Sequence, residues 1–178
     1  GGWHVESGTH GIVPCGTTGE TPTISEDEHH KLIAACIEAA AGRVPVLAGA
    51  GSNATGTAVD FAQSAEKAGA DGILVVTPYY NKPTQEGMYQ HFKTVYDAVD
   101  IPVILYNVPG RTGVEISVET VVRLGRDLPR IAGIKDASVD LSRPLHMRTE
   151  LGPDFTLCRE RMRPWQPIWR KAGTGVSL

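Results

Sequence analysis

The chain is short of several things, and each shortage excludes a class of protein. Only three of its 178 residues are cysteine. Cys15, Cys36 and Cys158 are odd in number and show no paired spacing, so a disulfide framework is not expected, whereas a reducing, cytoplasmic setting is. No apolar run approaches the roughly 18 residues of a membrane-spanning helix, so no membrane is expected among its partners. Net charge is low: 17 Lys and Arg against 20 Asp and Glu leave −3, with no general attraction for nucleic acid. Gly1-Gly2-Trp3-His4 has neither a basic nor an apolar leader region, and no signal peptide is expected. The initiator methionine is also missing, as expected of a fragment or a processed product. What is present is a 41% hydrophobic chain of one-domain length, enough to build a core.

Short apolar runs recur through it: Gly11–Pro14, Val44–Ala48, Gly72–Val76, Ile101–Tyr106, Ile131–Ile134 and a weaker Phe155–Cys158. They lack polar alternation, as expected of parallel strands buried on both faces. Helical patterns lie between them. Ser25-Glu26-Asp27-Glu28 reads as a capping box opening a helix that carries Leu32, Ile33, Cys36, Ile37 and Ala40. Helices are predicted over Thr55–Ala68, Gly87–Val99 and Ser117–Leu124, with Gly42, Gly69 and Gly125 at helix C-terminal positions. Strand starts therefore recur about every 30 residues, the size of a βαβ unit. A doubly wound open sheet is complete at this length. A (β/α)8 barrel needs roughly 250 residues, so about six of its eight units fit here. Periodicity alone favours the open sheet.

Residues able to do chemistry gather where strands end. They are Cys15-Gly16-Thr17-Thr18-Gly19-Glu20, Thr77-Pro78-Tyr79-Tyr80-Asn81-Lys82-Pro83, Tyr106-Asn107-Val108-Pro109-Gly110-Arg111-Thr112, and Lys135. In both architectures the C-terminal strand edge is the ligand edge. Lys135 closes an apolar run, an unusual place for a residue that is rarely buried without a partner. It is either a strand-end lysine snorkelling to solvent or a Schiff-base lysine that attacks a carbonyl substrate. The second role requires a neutral amine. Half-neutrality at pH 7 needs a shift of about three units, or ~4 kcal/mol, which burial in an apolar interior supplies. Tyrosine and threonine hydroxyls relay protons during imine formation, and an arginine fork takes a carboxylate. Each element also has a plainer role: Thr17-Thr18 as a turn, Tyr79 and Tyr80 as packing aromatics, Arg111 as a surface ion pair.

Two other motifs compete. Gly49-Ala50-Gly51-Ser52-Asn53-Ala54 matches a dinucleotide fingerprint, but Asp71, the acidic residue at ribose spacing, precedes its strand rather than ending it. Asp27-Glu28-His29-His30 is expected to be a solvated first helical turn, because adjacent histidines do not share a helix face and no second cluster exists. No metal is implied.

In order and spacing, Gly16–Glu20, Tyr79–Pro83, Tyr106–Thr112 and Gly133-Ile134-Lys135-Asp136-Ala137 resemble the dihydrodipicolinate synthase family, from about Gly8 to Phe155. The resemblance implies an α/β fold, a (β/α)8 TIM barrel of the class I aldolase type, incomplete at about six of eight units. It implies condensation of pyruvate with L-aspartate 4-semialdehyde to 4-hydroxy-tetrahydrodipicolinate, on the route to diaminopimelate and lysine. No cofactor is implied beyond the covalent imine with pyruvate. By motif, Lys135 resembles the imine-forming lysine and Tyr106 the proton donor and acceptor. Thr17 resembles the relay partner of Tyr106, and Thr18 the donor to the pyruvate carboxylate. Tyr80 resembles the tyrosine that completes the relay in a neighbouring subunit's site, and Arg111 the residue receiving the semialdehyde carboxylate. A homotetramer, built as a dimer of dimers, is the assembly implied. His29, Asn53 and Tyr79 match positions of the family's lysine-inhibitor site, while Glu26 and Thr57 depart from it, so weak inhibition by lysine is expected. Another pyruvate-dependent aldolase of the same superfamily and an inactive fragment are the alternatives.

The partial barrel domain is expected over residues 1–157. Residues 158–178 form a divergent basic tail in which Cys158 to Lys171 departs from the family and Gly173–Leu178 resembles it again. A reading-frame shift across 158–172 is expected to account for this, and translating the other frames tests it. A disordered end is the plainer reading. A barrel lacking its first and eighth strands has open edges, so the chain expressed alone is expected to be unstable or inactive.

Overall fold

A computed structural model describes residues 8, 10–16 and 21–159. The elements alternate as βα units: α1 (Glu26–Ala40), β1 (Leu47–Gly49), α2 (Thr55–Ala68), β2 (Gly72–Val76), α3 (Gln85–Asp97), β3 (Val103–Asn107), a helical turn α4 (Pro109–Thr112), α5 (Val118–Asp127), β4 (Ile131–Asp136), α6 (Ser142–Leu151) and β5 (Thr156–Arg159). All strand pairs are parallel and the sheet order is β1-β2-β3-β4-β5. This order overturns the open sheet that periodicity favours, because a doubly wound sheet reverses direction at a switch point and this one never does. One-way order, with the helices on a single face, is that of a partial (β/α)8 barrel.

The helices form where local chemistry stops the chain from remaining extended. At α1 the capping box is complete: Ser25 Oγ accepts the Glu28 N–H at 3.3 Å, and the Glu28 carboxylate accepts the Ser25 N–H at 2.9 Å. Thr84 caps α3 through the Gly87 N–H and Ser117 caps α5 through the Thr120 N–H. Gly69 ends α2 at φ 95°, a left-handed conformation natural only to glycine. Gly125 is not a helix terminus as predicted. It lies inside α5, where an added Cβ would come within 3.0 Å of Leu151 on α6, so it is small to let two helices meet. The first apolar run is shorter than predicted: only Ile12 bridges, to Val46, although Gly49 N–H still donates to the Pro14 carbonyl at 2.9 Å. The divergent tail from residue 160 onward lies outside the described residues.

The core splits by sheet face. On the outer face Ile73, Val75, Leu105 and Ile134 pack against Phe61, Met88, Phe92, Leu124 and Met147 of the helices, all buried. On the inner face a smaller group, Leu74, Ile104, Tyr106 and Val108, packs, among the described residues, with strand and loop neighbours only. Strand pairing sets the inner residues in rungs. One rung is Gly49, Leu74, Ile104, Gly133 and Thr156; the next, at the C-terminal edge, is Val76, Tyr106, Lys135 and Cys158. Gly133 is obligatory there, since a Cβ would lie 2.3 Å from the Thr156 carbonyl oxygen.

Candidate active site

The C-terminal rung places Tyr106 and Lys135 side by side. The Lys135 Nζ lies 4.5 Å from the centre of the Tyr106 ring, within the range at which an amine or ammonium group interacts with an aromatic face. Tyr106 is buried and Lys135 half-buried. The chain leaves β3 at Asn107 and turns at once into α4, whose Arg111 and Thr112 N–H groups both donate to the Val108 carbonyl. Thr112 Oγ donates to the Val108 and Val114 carbonyls at 3.1 and 2.8 Å, fixing the turn that carries Arg111. The Tyr80 N–H reaches the Thr112 carbonyl at 3.5 Å and so joins the loop after β2 to the same turn.

These segments enclose a cavity of about 300 Å³ lined by Tyr106, Tyr79, Arg111, Gly49, Gly51 and Cys15 among others. Its wall is apolar at Leu74, Val76 and Val108, and Arg111 stands at one side. Arg111 also borders an open depression with Tyr79, Tyr80 and Lys82. Tyr80 is 89% exposed, and it and Lys82 hold left-handed backbone at φ 71° and 43°, a strained conformation for side chains of this size. Burial, with Cys36 adding to it, pushes the Cys15 thiol up to about 11, which favours the thiol over the reactive thiolate.

Tyr106, Lys135, Arg111, Tyr79 and Tyr80 thus all stand at one strand edge, while Thr17 and Thr18 lie outside the described residues. His29 is not the solvated residue predicted. It is 1% exposed, its Nε2 bonds the Gly49 carbonyl at 2.8 Å, and its ring stacks on Phe61 at 4.0 Å. Asn53 accepts a hydrogen bond at its backbone oxygen from Asn81, two residues beyond Tyr79. The glycine-rich turn before α2 is explained by packing: a Cβ on Gly49 would meet the Cys15 carbonyl at 2.1 Å, and one on Gly51 the Val76 side chain at 2.6 Å. Asp71 accepts the Val46 N–H at 2.8 Å near the start of β1, away from the edge where a ribose would lie. Among the described residues no group of three His, Cys, Asp or Glu side chains converges for a metal, and no helix is long and apolar enough to cross a membrane.

Reading the motifs missed the residues behind the rung. Asn107 and Asp136 are 0% and 5% exposed, and Asn107 Nδ2 donates to Asp136 Oδ1 at 3.0 Å. Arg143 on α6 donates from Nε to Asp136 Oδ2 at 2.9 Å. Burial raises the Asp136 carboxyl pKa, but donors from Ser138, Arg143 and Asn107 outweigh it and hold the group below its ordinary value. A signal existed for Asn107 and Asp136: each is a polar residue at the end of a run otherwise buried on both faces, where an unpaired group is costly.

The sequence profile of the Dihydrodipicolinate synthetase family matches residues 2–170. A 4-hydroxy-tetrahydrodipicolinate synthase of Nitrobacter hamburgensis is 61% identical over 153 residues, 86% of this chain and 51% of the relative. Dihydrodipicolinate synthase from Aquifex aeolicus has a solved structure that matches with a TM-score of 0.87 at 48% identity, over 88% of this chain and 54% of that one. A chloride-inhibited dihydrodipicolinate synthase from Acinetobacter baumannii, solved with pyruvate, matches with a TM-score of 0.85 at 49% identity, over 88% and 54% of the two chains. The chain spans about half the length of the curated relatives it matches. Profile, sequence identity and the one-way parallel sheet agree: the chain belongs to the dihydrodipicolinate synthetase family.

Proposed function

We propose that this chain carries the imine centre of a 4-hydroxy-tetrahydrodipicolinate synthase, condensing pyruvate with L-aspartate 4-semialdehyde in the cytoplasm. The observation that carries the reading is the pairing of Lys135 with Tyr106 on one rung, 4.5 Å from amine to ring centre, at the edge where βα barrels bind ligands. The Lys135 amine attacks the pyruvate carbonyl carbon, and loss of water leaves an imine. Tyr106 hands protons to and from the departing oxygen. Proton loss from the pyruvate methyl carbon makes an enamine, which attacks the aldehyde of the second substrate. Arg111, on the turn after β3, takes that substrate's carboxylate. Thr17 and Thr18 serve as relay partner and pyruvate-carboxylate donor, and Tyr80 enters the relay of a neighbouring subunit within a homotetramer. The exposure of Tyr80 supports that last role. Lysine inhibits weakly, because Thr57 offers no charge to its ammonium group.

Incubation with pyruvate and borohydride, followed by peptide mass spectrometry, tests the reading. The reduced pyruvyl adduct is expected on Lys135 and is expected to vanish in Lys135→Ala. A folded wild-type sample that shows no pyruvate-dependent adduct at Lys135 overturns it.

A further inference from the structure

Strand alternation puts Tyr106 and Lys135 on the inner face, so Asn107 and Asp136, one residue further along each strand, lie on the outer face. These two are also partners in the ladder. Their side chains belong to a closed ring. Asp136 Oδ1 accepts from Asn107 Nδ2 at 3.0 Å and from the Ser138 N–H at 2.9 Å. Asp136 Oδ2 accepts from Arg143 Nε at 2.9 Å, and Arg143 Nη2 donates to the Ile116 carbonyl at 2.8 Å. The Ile116 N–H returns to Asn107 Oδ1 at 3.3 Å and completes the circuit. Arg143 also lies 3.8 Å from Glu115.

Two features make this more than core filling. A buried ion pair is a poor source of stability compared with apolar side chains of the same volume, and the lower outer positions, Leu105 beside Ile134, are apolar. The pairing of β3 with β4 is also irregular lower down: Val103 faces Ile131 but Ile104 faces Gly133, leaving Ala132 as an extra residue. A slip of one residue above that bulge would turn Lys135 towards the helices.

We propose that Asn107, Asp136 and Arg143 are positioning residues that lock the register of β3 against β4 above the bulge, holding the Lys135 amine against Tyr106. Through Ile116 the same ring ties down the segment that follows the Arg111 turn. The role of the clasp in imine formation rests on the pyruvate reading above; its role in placing the amine does not.

Two readouts on the whole chain separate these. Reductive ¹³C-methylation gives Lys135 an NMR signal displaced by the Tyr106 ring current, with Lys135→Arg assigning it. The first-order rate of pyruvate trapping, per folded molecule at saturating pyruvate, reports chemistry. Asn107→Ser and the milder Arg143→Lys are expected to move the Lys135 methyl signal towards that of an exposed lysine. They are expected to slow trapping at least about tenfold. Loss of folded protein alone would lower the yield of adduct, not this rate. Glu115→Gln serves as the control and is expected to change neither. An unmoved methyl signal in folded Arg143→Lys or Asn107→Ser overturns the proposal. If wild-type protein is not trapped by pyruvate, the imine reading falls, and the methyl signal alone decides the clasp.

Discussion

At the C-terminal edge of the sheet, the outer face of β3 and β4 carries Asn107 and Asp136, and the inner face carries Tyr106 and Lys135. On the outer side the polar groups are enclosed by Arg143, Ile116 and Ser138, with helices over the rest of the face. On the inner side a half-buried lysine borders a tyrosine beside a cavity of about 300 Å³. Neighbouring residues on the same strands thus meet opposite surroundings. On the closed face the polar groups are tied to one another, while on the open face Tyr106 lines the cavity and Lys135 stands against it.

Substitutions should divide along that line. The largest stability loss is expected from Arg143→Ala, which strands the buried Asp136 charge; about 3–5 kcal/mol should appear in urea unfolding. Replacing both Arg143 and Asp136 with apolar residues should cost much less, and equal losses would show that charge pairing is irrelevant there.

Acid should act on the closed layer next. Burial depresses the His91 imidazole pKa to about 4, so its neutral form is favoured in the folded state. The stability it contributes is complete above the unfolded value of 6.5 and is lost as pH falls to about 4, at most ~3 kcal/mol. Burial depresses His29 in the same direction. Asp136 contributes in a lower window, complete above its ordinary value of 3.8 and lost below it. Unfolding measured between pH 7 and pH 4.5 should therefore steepen below 6.5, and His91→Asn should flatten that slope.

On the open face, Tyr106→Phe keeps the ring and removes the proton carrier. Pyruvate trapping is expected to slow by about 10²-fold while the melting curve changes little. A large fall in melting temperature would instead place the hydroxyl in the fold's support. The smallest effect is assigned to Ser25→Ala, at an exposed helix start, which removes the α1 cap and should cost about 1 kcal/mol in thermal unfolding.

The strands were legible because runs such as Gly72–Val76 are apolar at successive positions, as two-sided burial demands. The α1 capping box and the Gly69 terminus were legible because they are local. α6 escaped notice because its residues Arg143, Pro144, His146 and Arg148 leave almost no apolar stripe. Only Arg143 and Met147 of it are buried, and the burial of Arg143 depends on a carboxylate from another strand. Gly125 was misread because a glycine near the end of a helical pattern resembles a cap, and the Leu151 contact that explains it comes from a different helix. His29 was misplaced for a like reason, since Phe61 and Gly49 approach it from across the chain.

By itself the sequence determined the parallel α/β character, the helix caps and the strand-end motifs, because these depend on spacing and on interactions within a few residues. Periodicity favoured an open doubly wound sheet, the strand-end motifs implied a barrel, and the one-way strand order bears the barrel out; only the tertiary structure joined Tyr106 to Lys135 and Asn107 to Asp136. The members of each pair are 29 residues apart in sequence, and strand register, which depends on long-range pairing, brings them together.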